Sequence, residues 1–263
     1  MRKYSVLFLL VLLSCSNEYC RLNADIKYKL LSFDGDDKPI VKGDAVYIDM
    51  QCRNGKIPDE WTERLFVADN NESLFEGHLY KFHEGDSMEL IVDTEYFGSN
   101  ENRDELVFNM KVKKVHPHDH IGFLPRRLCM QIERARILQY LRANDLIEQE
   151  SFKELYILEG DRVSYGKGLK RNDPISMHYK TFLLDGKLIA SSEVTGPINF
   201  KVGEKGQVLE GIENVLSNLV YDERFKLLIP SEFAFGNDGS GKIVPIYTPI
   251  IMELTCVKPS YPG

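Results

Sequence analysis

The stretch Leu209–Gly236, LEGIENVLSNLVYDERFKLLIPSEFAFG, constrains the fold of this chain more than any other. Val208, Leu209, Ile212, Val215, Leu216 and Leu219 keep to one helical face, a stripe that must pack on something apolar. A tight turn follows, and then Phe225–Ile229 reads as an apolar strand. Pro230 ends it, since a proline cannot donate to a ladder. An aromatic loop completes the succession.

The flanks carry the other period. Ile175, Met177, Tyr179 and Thr181 alternate with Ser176, His178 and Lys180, which predicts a half-buried strand. Pro174 suits its first position, and Asp185-Gly186 turns the chain after it. Ile250, Met252, Leu254 and Cys256 form the inward face of a last strand. One short helix lying on a curled antiparallel sheet is the simplest arrangement of these pieces.

Three blocks in fixed order and spacing, HYKTFLLDGK (His178–Lys187), the Leu209–Gly236 stretch and IVPIYTPIIMEL (Ile243–Leu254), resemble the FKBP-type peptidyl-prolyl isomerases. The resemblance implies an apolar slot for a proline ring, with no cofactor and no metal. Carried over by position, Tyr179, Leu209 and Phe235 would act at the reacting bond. The Leu209 backbone N–H would grip a substrate carbonyl. Ile189, Ile198, Val208, Ile212, Ile243, Val244 and Met252 would line the slot.

Several positions depart from the family pattern. Ile189 and Ala190 replace an aromatic-Asp pair, removing an acceptor beside Tyr179. Ile212 stands where tryptophan is usual, and aromatics are also lost at Ile198 and Met252. Phe235 replaces a tyrosine whose hydroxyl donates to substrate, a hydrogen bond worth about 0.5–1.5 kcal/mol. The resemblance therefore implies retained proline binding and lowered turnover.

The first half parallels the second. KGDAVYIDMQCRNGK (Lys42–Lys56) matches RNDPISMHYKTFLLDGK (Arg171–Lys187), and FEGHLYKFHEGDSMELIVDTEYFG (Phe75–Gly98) matches the Leu209–Gly236 stretch with a shorter helix. ELVFNMKVKKV (Glu105–Val115) matches PIIMELTCVK (Pro249–Lys258), and three matched blocks in one order point to duplication. The expected fold is α+β: two FKBP-like domains, each a curved antiparallel sheet wrapped on a short helix, joined by a linker helix. The first copy has Met50 at the position of Tyr179 and His78 at that of Ile212. It reads as a scaffold or contact domain without isomerase activity.

The expected divisions are a leader over 1–14, a tether over 15–29 that includes an entry strand, a degenerate copy over 30–116, a linker with its helix over 117–154, and the isomerase domain over 155–263. Arg2 and Lys3 precede an apolar run, Val6–Leu13, that fits a secretion signal and is too short to span a membrane. Leu12-Leu13-Ser14-Cys15 looks like a bacterial lipoprotein cleavage box, which makes Cys15 the site of lipidation and implies an anchor in the bacterial envelope, facing the periplasm.

The chain carries 33 basic and 40 acidic residues, net −7. Loss of Arg2 and Lys3 deepens this, and such a balance repels nucleic acid and anionic lipid surfaces. Cys20, Cys52, Cys129 and Cys256 are scattered, and spacing selects no pairing among them. Cys52 and Cys256 fall on predicted strands and read as small apolar core residues.

In the linker, Pro125 marks a helix start, Leu128, Ile132, Ala135, Leu138 and Leu141 form a stripe, and Asn144-Asp145 interrupts it. The helix reads as packing on its own domain, with dimerisation as the alternative. His116-Pro117-His118-Asp119-His120 has metal-like composition, but a solvated hinge fits it better. Gly236–Gly241 resembles a phosphate loop only in glycine content and reads as a pocket flap. The expected partners are proline-containing or unfolded protein segments. The function expected is an envelope-anchored prolyl isomerase assisting exported proteins. The alternatives are a non-catalytic chaperone or assembly factor using the same cleft, and a structural subunit of an envelope complex.

Overall fold

The computed structural model describes residues 19–33, 39–55, 65–70, 75–93, 105–146, 151–152, 155–160 and 168–259. The expected leader and Cys15 lie outside the described residues. The chain divides into two compact units, Met1–Arg136 and Ile137–Gly263.

The first unit holds β1 (Cys20–Arg21), β2 (Ile26–Ser32), β3 (Ala45–Cys52), β4 (Leu65–Val67), β5 (Ser87–Asp93) and β6 (Glu105–His116). They form one antiparallel sheet in the order β1-β2-β5-β6-β3-β4. A 3-10 helix, Phe75–Lys81, precedes β5. Ile26, Ile48, Phe75, Leu79, Met88, Leu90 and Phe108 fill the core. Residues up to 29 were expected to hold a tether and an entry strand, and β1 and β2 belong to this sheet. Ile26 is fully buried against it, so leaving β2 unpaired would expose apolar surface.

α1 (Arg126–Ala143) begins where expected: the Pro125 carbonyl accepts from the N–H groups of Leu128 and Cys129 (2.8 and 3.1 Å). It ends at Asn144-Asp145, with Asp145 in the left-handed region (φ 55°) and Leu146 N–H donating back to the Leu141 carbonyl. Its buried residues include Cys129, Ile132, Ala135, Ile137 and Leu141, while Leu128 and Leu138 are half-buried. Ile137 and Leu141 cluster with Leu158 and Leu228.

The second unit holds β7 (Ser151–Phe152), β8 (Leu155–Glu159), β9 (Pro174–Leu183), β10 (Leu188–Ser191), β11 (Ile198–Lys201), β12 (Arg224–Ile229) and β13 (Ile250–Val257). The sheet runs β7-β8-β12-β13-β9, and β10 and β11 both pair with the far side of β9. α2 (Ser192–Thr195) is a single turn between β10 and β11. α3 (Glu210–Val215), extended by a 3-10 turn over Leu216–Asn218, lays Ile212, Val215 and Leu216 into the core. Leu228 is buried on the opposite face of β12 from Leu227, covered by Ile137 and Leu141. Ser176, expected on the polar face of β9, is buried because β13 and β11 flank the strand there.

One turn is built twice. Asp44 and Asp173 each accept, through a carboxylate oxygen, the N–H three residues back, from Val41 (3.0 Å) and Lys170 (2.7 Å). Gly43 (φ 90°) and Asn172 (φ 71°) precede them in the left-handed region. Each carbonyl of the aspartates then receives the N–H of Ala68 or Val202, and those residues' carbonyls accept from Gly43 or Asn172. Gly and Asn are the residue types that tolerate this backbone.

Candidate active site

All ten residues expected at the slot line one cavity of about 220 Å³ in the second unit. β9 supplies Tyr179, β10 Ile189, β11 Ile198 and β13 Met252. Val208, Leu209 and Ile212 come from the start of α3, and Phe235, Ile243 and Val244 from the loop after β12. Met177, Thr181, Ala190 and Ser240 complete the lining. Met177 and Thr181 lie two residues either side of Tyr179, so strand alternation already placed them on this face. No lining side chain carries a charge, and the only polar ones are hydroxyls.

The floor is fixed by close packing. Gly211 sits so near β12 that a Cβ there would lie 2.6 Å from Ile229 Cγ2 and 3.2 Å from the Phe233 carbonyl. Only glycine lets α3 approach that closely, and the approach seats Ile212 in the core at zero exposure. Leu209 caps α3 in an extended conformation (φ −57°, ψ 144°), and its carbonyl accepts from Ile212 and Glu213. Its own N–H has no acceptor among the described residues, so a donor faces the cavity region at the positive end of the helix. Glu213 reaches back to accept the Gly206 N–H at 2.7 Å and fixes the approach to α3.

The loop wall is held by its own backbone. Gly236 N–H donates to the Ser231 carbonyl (2.7 Å), Tyr247 N–H to the Gly236 carbonyl, and Ser240 and Val244 exchange bonds of 2.8 and 3.2 Å. Gly239 (φ +65°) would place a Cβ 2.4 Å from the Val244 carbonyl, so the loop tip closes only on glycine. The glycine run is thus a folded rim of the cavity that holds Phe235 and Val244 in place.

Tyr179 is clasped from one side by α2. Its N–H donates to Ser192 Oγ (2.9 Å), and its phenol lies 3.2 Å from Thr195 Oγ1. The sequence reading finds no partner for this phenol because Ala190 has no acceptor. Thr195 was missed, and the signal available was the hydroxyl-rich turn Ser191-Ser192-Glu193-Val194-Thr195 just after β10.

The histidine run does not stay extended. His118 opens a 3-10 turn, His118–Phe123, so the three rings do not project from one strand face. Asp44 Oδ1 takes both the His118 N–H (2.9 Å) and its Nδ1 (3.0 Å). Burial, with help from Lys114, pushes the His116 imidazole below the usual histidine range. Among the described residues, no group of three or more His, Cys, Asp or Glu is placed to hold a metal, and no helix is long and apolar enough to cross a membrane.

A cavity walled by apolar side chains, with an unpaired backbone donor at Leu209 and a phenol at its edge, can hold an uncharged ring and polarise an amide. Comparison with known proteins bears on this. The profile of the FKBP-type peptidyl-prolyl cis-trans isomerases matches residues 166–255. The FK506-binding protein 1A of Neurospora crassa is 37% identical over 89 residues, covering 34% of this chain and 73% of that protein. An FK506-binding protein of Neisseria meningitidis serogroup C is 31% identical over 103 residues, covering 39% of this chain and 94% of that protein. Among solved structures, a peptidyl-prolyl cis-trans isomerase from Pseudomonas syringae pv. tomato aligns with 95% of its length and 51% of this chain, at 23% identity and a TM-score of 0.40. With a relative matched over nearly its whole length at this identity, the chain belongs to the FKBP-type peptidyl-prolyl cis-trans isomerase family.

Proposed function

We propose that the second unit isomerises X-Pro bonds in exported proteins of the bacterial envelope, at a rate lowered by the residues at positions 190 and 235. The observation that carries this is the convergence of ten widely separated residues on one apolar cavity beside the unpaired Leu209 N–H. The peptide C–N bond resists rotation by ~20 kcal/mol because its resonance separates charge in the planar state. A dry slot withdraws the water that favours that state, and a preorganised donor holds a substrate carbonyl while the amide twists. In this reading Leu209 N–H grips the carbonyl, and Tyr179 and Phe235 border the reacting bond. Ile189, Ile198, Val208, Ile212, Ile243, Val244 and Met252 enclose the ring.

The same reading makes residues 155–263 the isomerase domain, residues 30–116 its degenerate copy, and residues 117–154 with α1 the linker. The matching order β1-β2-β5-β6-β3 and β7-β8-β12-β13-β9, with the repeated aspartate turn, supports the duplication. Cys15 is the proposed lipid anchor facing the periplasm, supported by Leu12-Leu13-Ser14-Cys15 after a short apolar run. Fatty-acid labelling of the expressed chain tests it: Cys15→Ser should abolish label and membrane retention, and a labelled variant would refute the anchor.

Loss of the hydroxyl at Phe235 specifically favours a second reading, a chaperone that grips proline segments without turning them over. A protease-free isomerisation assay with the purified chain on several X-Pro peptides separates the two. Acceleration removed by Tyr179→Ala supports the enzyme. Background rates combined with protection of unfolded clients from aggregation support the chaperone.

A further inference from the structure

We propose that Thr195 is a positioning residue that governs which way the Tyr179 phenol spends its proton, and so supplies a hydroxyl donor that Phe235 cannot. This rests on the prolyl-isomerase reading of the cavity.

Thr195 Oγ1 lies 3.2 Å from Tyr179 Oη, 3.3 Å from the Ser191 carbonyl and 3.2 Å from the Gly196 carbonyl. A threonine hydroxyl has one proton and two lone pairs. With its proton on either carbonyl, its oxygen accepts from Tyr179, and the phenol is a donor turned away from the cavity. With its proton turned to Tyr179, the phenol oxygen is satisfied as an acceptor and its own proton is released toward a substrate carbonyl. Two carbonyl acceptors of similar length give the hydroxyl a resting place in the first state, so the exchange needs only two hydroxyl rotations. A carboxylate at this place could accept from the phenol but never donate to it.

The turn that carries Thr195 is clamped to β9. Ser191 caps α2 through the Glu193 N–H (3.1 Å), Ser192 takes the Tyr179 N–H, and Glu193 pairs with Lys180 at 2.8 Å. Thr195 does not line the cavity and its side chain is exposed, so it acts through Tyr179.

The test uses the purified chain with ¹³Cζ-labelled tyrosine, assigned with Tyr179→Phe, and compares wild type, Thr195→Val and Thr195→Ser. Thr195→Val should move the Tyr179 ¹³Cζ resonance, and Thr195→Ser should return it. In the isomerisation assay Thr195→Val should lower kcat/KM by about three- to tenfold, as expected for one hydrogen bond. In the Tyr179→Phe background, Thr195→Val should cost nothing further. An unmoved resonance, or additive losses in the double variant, overturns the proposal. A wild-type rate at background overturns the isomerase reading instead, and the resonance still reports whether Thr195 holds the phenol.

Discussion

The two units share the order of five strands and a turn, yet among the described residues the slot at the start of the helix belongs to the second unit. Register sets their positions side by side. Met50 pairs with Met110 as Tyr179 pairs with Leu254, which puts Phe108 of the first unit at the place of Met252. The parallel FEGH and LEGI segments put Phe75 at the place of Leu209. Phe75 and Phe108 are both fully buried, and Phe75 meets Phe66 edge-on at 5.4 Å between ring centroids. Leu209 remains half-buried at the cavity wall. Loop length differs as well: residues 230–249 separate β12 from β13, against 94–104 between β5 and β6. The longer loop supplies Phe235, Ser240, Ile243 and Val244 as a wall. A ring in place of Leu209 at the head of the helix can therefore fill the space a slot needs while the topology stays the same, since interiors pack densely.

The strongest way to break the comparison is to import the first unit's ring at the head of the helix. Leu209→Phe should lower kcat/KM for X-Pro peptides by about a hundredfold, roughly 2.7 kcal/mol of transition-state binding. Stability should change by no more than the ~1–3 kcal/mol typical of overpacking. Activity at the wild-type level in a folded variant would show that the cavity is not where substrate reacts. Next in size is Tyr179→Met, which installs the residue at the matching place, Met50, and removes the phenol while keeping bulk. A loss of about tenfold is expected, measured as kcat/KM with binding of a proline peptide followed by calorimetry. If the loss appears only in binding, the phenol belongs to the walls.

Much of the site was legible in the sequence because it rests on short-range patterns. Alternation fixed the inward face of β9, helical spacing placed Ile212 and Leu209, and Pro230 marked the start of the loop. What stayed hidden depends on pairing across the chain. β2 reads as an entry strand without a partner until β5, some sixty residues on, gives Ile26 a core to enter. Ser176 reads as polar-face until strands on both sides enclose it. Thr195 sits in a four-residue turn, too short for any period, and only the packing of that turn on β9 brings it to Tyr179.

A smaller effect runs in the opposite direction. Phe235→Tyr restores a phenol at the loop wall, and should raise kcat/KM by about two- to tenfold, in line with one net hydrogen bond. The gain should be larger in Thr195→Val than in wild type if the two phenols serve one carbonyl. A Phe235→Tyr variant no faster than wild type would place the rate limit elsewhere than in donor supply.

The finest contrast is at the last strands, where Cys256 pairs with Met177 as Val112 pairs with Ile48, all four fully buried. Burial pushes the Cys256 thiol up from 9.0 to about 12. An unfolded chain releases this proton near 9 while the folded chain holds it to about 12, so the unfolded state loses its proton first. Stability from this group is therefore whole below pH 9 and falls as pH rises, by ~1.4 kcal/mol per pH unit, until the folded thiol itself ionises. Cys256→Val, which installs the first unit's residue, should remove that slope, and the difference from wild type should reach about 1 kcal/mol at pH 10 by denaturant unfolding. Burial, Asp173 and Cys256 all raise the Tyr221 phenol, so both proteins are compared in a Tyr221→Phe background, which leaves the thiol as the difference. Parallel stability curves for the two proteins between pH 8 and 10 would mean that the thiol is not sealed in the core.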